Sequence, residues 1–189
     1  MRIIAGFLKH RLIQSPPGRV CRPAMGRTRE ALFSMLEARG VVWEQTPVLD
    51  VFAGSGSLAF EAISRGAVHA TLLENDSQVV ATIRDNAKTL DVVDRITIVQ
   101  GDAIRLLRKG SPTSYPLVFL DPPYRKSYTE ASLRLLANGW LTVGAMVVCE
   151  VERSLALPIP PSYTLDCERR FGQTMVYIVR YAKEPMSEG

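Results

Sequence analysis

Asp121-Pro122-Pro123-Tyr124 brings together three groups that could act on one amino nitrogen. An exocyclic amine of guanine, adenine or cytosine is a weak nucleophile, because its lone pair is delocalised into the ring. To attack an electrophilic carbon it must be turned until that lone pair leaves the ring plane. The Asp121 carboxylate is one acceptor for an amino hydrogen, and the carbonyl of Pro122, aimed by a fixed φ, is a second. Two acceptors matched to two hydrogens orient the nitrogen and stabilise the positive charge that develops there. Tyr124 offers a flat face to an extruded base, worth about 1–3 kcal/mol in stacking. No side chain with a tuned pKa is required, since the ammonium product is acidic enough to lose its proton to water. Methylation at cytosine C5 would need a nucleophilic cysteine in this region, and Cys21, Cys149 and Cys167 lie elsewhere. Taken alone, the four residues also suit a strand that ends in a Pro-Pro turn with a packed tyrosine.

A second group of residues suits a nucleoside-bearing ligand. Gly54-Ser55-Gly56-Ser57-Leu58-Ala59 follows an apolar run and opens a helical one, and its glycines let the backbone bend sharply and approach a ligand. Ala59 stands where the dinucleotide pattern has its third glycine, so the match is modest. Glu74 follows Gly54 by 20 residues, at the end of the next strand, where a carboxylate can accept from ribose hydroxyls. An NAD enzyme shares these features. Asp50 argues against one, because a carboxylate before the glycines repels a pyrophosphate and suits a cationic or amino group. Asp102 is placed to accept from an adenine amino group, and equally to cap a helix. A dehydrogenase would also need a proton donor, and the two histidines, His10 and His69, lie in the amino-terminal arm and before a strand.

Positioning these groups requires a particular succession of elements. Residues 48–52 read as a buried strand, followed by the glycine turn and a helix over 57–65 that Gly66 stops. Strands are predicted at 70–73, 96–99, 117–120 and 145–151, with helices over 77–90, 103–109 and 129–137 between them. The tail changes to an antiparallel pair, 163–168 and 175–181, turning near Phe171-Gly172-Gln173. Strands alternating with helices imply an α/β fold: a doubly wound, mostly parallel Rossmann-like sheet with an antiparallel carboxy-terminal strand. In such sheets ligands bind beyond the carboxyl ends of the strands, where Asp50, Glu74, Asp102 and Asp121 all fall.

Ahead of this pattern lies a small basic extension. Residues 1–40 hold eight Lys or Arg against Glu30 and Glu37, a charge of +6; the remainder holds 15 against 17, or −2, which sums to the net +4. Ser15-Pro16-Pro17-Gly18 predicts a loop, and a helix capped by Thr28 is predicted to end near Gly40. A basic arm on a near-neutral body points to a polyanionic partner bound through phosphates. Three widely spaced cysteines form neither a zinc pattern nor a disulfide framework, and Cys149 reads as a buried thiol. No apolar run reaches the ~18–20 residues of a membrane span, and the first 20 residues match neither a secretion signal nor a transit helix. A cytoplasmic location is expected.

Residues 48–58, then Glu61-Ala62-Ile63-Ser64-Arg65-Gly66-Ala67, then Asp121-Pro122-Pro123-Tyr124 resemble the bacterial 16S rRNA (guanine-N2)-methyltransferases, a class I S-adenosylmethionine-dependent family. The arm is similar too, through Arg2-Ile3-Ile4-Ala5-Gly6, Arg22-Pro23 and Arg27-Thr28-Arg29-Glu30-Ala31-Leu32-Phe33-Ser34, as is Arg170-Phe171-Gly172-Gln173-Thr174 in the tail. The departures are Phe171 for the usual tyrosine and Ala24 for a common threonine. The resemblance implies S-adenosylmethionine held by Asp50, Phe52, Gly54, Gly56, Glu74, Asp102, Ala103 and Asp121, and base handling by Asp121, Pro122 and Tyr124. It implies RNA gripped by Arg22, Arg27, Arg29 and Arg125. The expected organisation is an RNA-binding extension over 1–40 and a methyltransferase domain over 41–189, acting as a monomer without metal or membrane. The implied partner is 16S ribosomal RNA, in the small ribosomal subunit or an assembly intermediate. An N6-adenine methyltransferase of RNA or DNA, and an inactive RNA-binding assembly protein, remain as alternatives; the absence of an added recognition domain disfavours DNA.

Overall fold

The apolar-rich stretches at 48–50, 70–73 and 117–120 are too short for helices and lie in strands. A computed structural model describes residues 1–16, 24–123, 126–154 and 156–182. The chain divides into two compact units, Met1–Ala103 with three strands and Ile104–Gly189 with four. The expected α/β class, with strands alternating with helices and an antiparallel carboxy-terminal hairpin, is observed.

The first unit contains helix α1 (Ala24–Glu37), strand β1 (Pro47–Asp50), α2 (Ser57–Arg65), β2 (His69–Glu74), α3 (Ser77–Thr89) and β3 (Ile96–Gln100), with 3-10 turns at Trp43–Gln45 and Val93–Arg95. β2 lies between β1 and β3, parallel to both, with Val48 opposite Ala70 and Leu72 opposite Ile98. Helix α1 begins at Ala24, so Thr28 lies within it and is not its cap, as the sequence suggested. Leu32, Phe33 and Leu36 of α1 are fully buried. Each such side chain contributes roughly 1.5–3 kcal/mol of hydrophobic stabilisation.

Residues 1–16 form a strap over α2 and α3. Ile3, Leu8 and Ile13 face inward, while an isolated bridge joins Arg2 to Leu12. Two polar side chains of α2 that are fully or almost fully buried, Glu61 and Ser64, find their partners in the strap. Glu61 accepts from the backbone N–H of Ile4 at 2.8 Å and of Ala5 at 3.0 Å, and Ser64 accepts from Leu8 at 3.0 Å. On α3, buried Asn86 exchanges two hydrogen bonds with the backbone of Gln14, at 2.8 and 3.0 Å. Gly6 makes the close approach possible: a β-carbon there would lie 1.7 Å from the Ser64 carbonyl oxygen. The division expected near residue 40 therefore falls inside a compact unit. Buried polar groups must be paired, and here the strap's backbone does the pairing.

The second unit contains β4 (Tyr115–Leu120), α5 (Lys126–Leu136), β5 (Leu141–Glu152), β6 (Tyr163–Phe171) and β7 (Thr174–Tyr181), preceded by α4 (Ala103–Arg108). β4 and β5 are parallel, and β7 runs antiparallel between β5 and β6. β5 starts four residues earlier than expected and is interrupted: Tyr115 pairs Leu141, but Leu117 pairs Met146. Gly144, at φ 81°, absorbs the extra residues. Tyr163 donates to the Leu133 carbonyl at 2.6 Å and Trp140 to the Leu107 carbonyl at 2.9 Å, tying the hairpin to α5 and the loop before β5 to α4. Burial, then the neighbouring Cys149 and Tyr181, raise the Tyr163 phenol above its ordinary range. Burial likewise raises the thiol of Cys149, the structural cysteine the sequence suggested.

Candidate active site

In the first unit the glycine turn and the end of β2 are fastened to each other. The N–H of Ala53 donates to the Leu73 carbonyl at 3.1 Å, and that of Gly56 to the Ala53 carbonyl at 2.7 Å, closing the turn. Gly54 and Gly56 have φ of 54° and 75°, where a side chain would be strained. A β-carbon on Gly56 would also meet the Phe60 ring at 2.9 Å. From Gly56, which precedes its first residue, α2 runs back across the unit.

Glu74 closes this arrangement. Its Oε2 accepts from the Gly54 N–H at 2.9 Å, and its Oε1 from Asn75 at 2.8 Å and Asp76 at 2.9 Å. Three of roughly four lone-pair positions on a carboxylate are thereby used. One position is left over, and ribose hydroxyls are the donors expected for this carboxylate from the sequence. The fastening role carries no sequence signal, since nothing in residue spacing marks which backbone N–H a glutamate will reach. Asp76, also not anticipated, caps α3 by accepting from Gln78 at 2.8 Å.

The other expected ligand-binding residues of this unit lie along the same carboxyl edge. Asp50 ends β1 and is 2% exposed; Phe52 is half-buried and follows two residues later. Asp102 is half-buried directly before α4, and Ala103, its first residue, is buried. The structure thus brings Asp50, Phe52, Gly54, Gly56 and Glu74 to the ends of adjacent parallel strands, with Asp102 and Ala103 following β3. Acids at these ends favour a ligand that is cationic or rich in donors and disfavour a pyrophosphate. The left-handed glycines and the carboxylate-tethered turn fit a nucleoside that approaches backbone closely. Among the described residues, no group of three or more His, Cys, Asp or Glu side chains is placed to hold a metal ion. No described helix is long and apolar enough to cross a membrane.

In the second unit, β4 runs into Asp121 and Pro122. Leu117, Val118, Phe119 and Leu120 are buried, and the next residue, Asp121, is exposed. Pro122 is buried and Pro123 exposed, so the chain leaves the strand with one carboxylate outward and one proline anchored. Tyr124 and Arg125 lie outside the described residues, as does Arg22.

The arginines of the arm separate. Arg27 is exposed on α1. Arg29 is 5% exposed; its Nη2 donates to the Arg2 carbonyl at 2.6 Å and its Nε lies 3.6 Å from Glu61 Oε2. Arg29 was expected to grip RNA, and the structure corrects this: its guanidinium is spent inside the protein. The physical cause is Glu61, a fully buried carboxylate that also accepts from Arg65 Nε at 3.0 Å and needs cations around it.

The family model described as Conserved hypothetical protein 95 matches residues 1–180. The chain is 36% identical over 191 residues to the ribosomal RNA small subunit methyltransferase D of Escherichia coli strain K12, covering 100% of this chain and 92% of that one. It is 34% identical over 175 residues to the protein of the same name from Haemophilus influenzae, covering 91% of this chain and 89% of the other. A solved Escherichia coli structure, provisionally described as a methyltransferase, superposes with a TM-score of 0.86 at 35% identity, covering 97% of this chain and 99% of that one.

Proposed function

This chain belongs to the Conserved hypothetical protein 95 family, and from that premise we propose that it methylates the exocyclic N2 amino group of a guanine in 16S ribosomal RNA. It is an enzyme of the methyltransferase class, like the relatives it matches along its whole length. The cofactor is S-adenosylmethionine, held by Asp50, Phe52, Gly54, Gly56, Glu74, Asp102 and Ala103. When bound, it supplies a methyl group made electrophilic by a sulfonium. Glu74 keeps one acceptor position for a ribose hydroxyl, and Asp50 presents negative charge to a cation. Asp121 accepts one amino hydrogen of the guanine and the Pro122 carbonyl accepts the other, so that the nitrogen lone pair is turned out of the ring plane. Tyr124 stacks on the base. The proton released after transfer goes to water, with no general base among these residues.

The observation that carries this reading is the sequence of burial at the end of β4: four buried residues, an exposed Asp121, and a buried Pro122. An exposed carboxylate at a strand end can meet a ligand, and the buried proline after it anchors the chain. Arg22, Arg27 and Arg125 serve the RNA phosphates, in the cytoplasm, with the small ribosomal subunit or an assembly intermediate as the target. Incubation of the protein with labelled S-adenosylmethionine and small subunits lacking the modification, followed by nucleoside analysis of the RNA, is expected to yield N2-methylguanosine. Label in N6-methyladenosine would overturn the guanine assignment, and no label in RNA would overturn the function.

A further inference from the structure

At the end of the first unit opposite the glycine turn, an aromatic ring is held rigidly and left in water. α2 begins at the carboxyl edge of the strands and returns to their amino edge, where Gly66 stops it and β2 starts. There the Phe7 N–H donates to the Ser64 carbonyl at 2.8 Å, and Gly6 presses against the same residue, so the backbone of the strap is fixed. The Phe7 side chain is nevertheless 60% exposed. One contact orients it: the Arg95 guanidinium sits 5.4 Å from its ring centroid, held by the Gly66 and Ala67 carbonyls at 3.1 and 2.6 Å. Val68, beside those carbonyls, and Val93, two residues before Arg95, are 44% and 53% exposed.

Charge decides what such a surface fits. The strap around Phe7 carries Arg2, Lys9 and Arg11, all exposed, and no Asp or Glu occurs in residues 1–16. The nearby acids are Asp91 and Asp94, next to the 3-10 turn, and Glu44, whose Oε1 would lie 3.1 Å from a β-carbon on Gly66; all three are exposed. Aromatic and guanidinium planes set among cations are the combination that binds unpaired nucleotides, by stacking on the bases and pairing with phosphates. Arg2, Lys9, Arg11 and Arg95 outnumber these three acids by one, and an apolar protein surface would leave that positive charge unmatched.

We propose that Phe7 and Arg95 form a second RNA contact, a stacking platform for an unpaired nucleotide flanked by phosphates that Lys9 and Arg11 meet. This rests on the reading of the substrate as RNA and adds a requirement to it. β2, with six residues, spans roughly 20 Å between the platform and the carboxyl edge. One extruded nucleotide cannot occupy both ends, so the platform selects RNA folded or long enough to wrap the first unit.

The test compares wild type, Phe7→Ala and Phe7→Trp for methyl transfer to small subunits and for binding to protein-free small-subunit RNA. Phe7→Ala is expected to raise KM for the subunit and to weaken RNA binding by about 5- to 150-fold, with kcat and S-adenosylmethionine affinity unchanged. Phe7→Trp is expected to restore binding, and its exposed indole to be quenched when RNA is added; Trp43 and Trp140, 6% and 7% exposed, provide the buried background. Unchanged KM and RNA binding in Phe7→Ala would overturn the platform while leaving the methyltransferase reading intact. Loss of binding to subunits but not to free RNA would also overturn it, and would assign the patch to a protein. Wild type that binds no RNA at all would overturn the function itself.

Discussion

Asp121 and Glu74 are both strand-end carboxylates in different surroundings. Glu74 accepts from three backbone N–H groups, and Asp121 is exposed beside a buried proline. Asp121→Asn keeps the shape and loses the charge. It should lower kcat by roughly 100- to 1,000-fold, the usual loss when one group stabilising transition-state charge is removed. Calorimetric titration should find S-adenosylmethionine affinity within about threefold of wild type. Glu37 permits a test through pH. Burial acts to raise its pKa, but hydrogen bonds from Trp43 at 3.0 Å and Arg65 at 2.7 Å, with the Arg65 charge, hold it below its ordinary value. A depressed carboxylate stabilises the fold above the unfolded-state pKa and loses that contribution as pH falls through the folded one. The gap in urea midpoint between wild type and Glu37→Gln should therefore be constant near neutral pH and close as the solution is acidified below about pH 4.

Among the elements, α2 links the glycine turn to the strap. Its first residue follows Gly56, and Glu61 on its buried side accepts from Ile4, Ala5 and Arg65 and lies beside Arg29. Glu61→Ala leaves two guanidinium groups and two backbone donors without the carboxylate, which should cost about 3–5 kcal/mol in urea unfolding. Hydrogen exchange at Ile4 and Ala5 should quicken more than exchange in β2. A substitution confined to the cap of α3, Asp76→Ala, should cost only about 0.5–2 kcal/mol. The helices and strands themselves were mostly legible in residues 41–182, because apolar periodicity and glycine stops are local signals. The strap was less so. Its inward residues, Ile3, Leu8 and Ile13, follow neither a helical nor a strand period, and its partners lie 56 to 72 residues away.

For the whole molecule, the excess of positive charge in residues 1–40 is divided between surface and interior, which composition cannot show. Arg27 is exposed and Arg29 is paired with Glu61. Arg27→Ala should weaken RNA binding and reduce the slope of log affinity against log salt by about one contact. Arg29→Ala should lower stability and leave that slope unchanged. An altered slope in Arg29→Ala would return Arg29 to the RNA surface.

Local sequence determined the alternation of strand and helix, the glycine turn with Glu74 on the next strand, and the placing of Asp121-Pro122 after an apolar run. Each depends on neighbours a few residues apart or on one strand-to-strand spacing. Only tertiary structure decided which polar side chains would be used internally. Glu61 recruits Arg29 because it is buried, Glu74 holds the Gly54 N–H because parallel strands bring their ends together, and Phe7 stands exposed because Gly6 pins its backbone to α2. Burial and pairing of charges depend on contacts far apart in the chain, and a residue's type does not carry them.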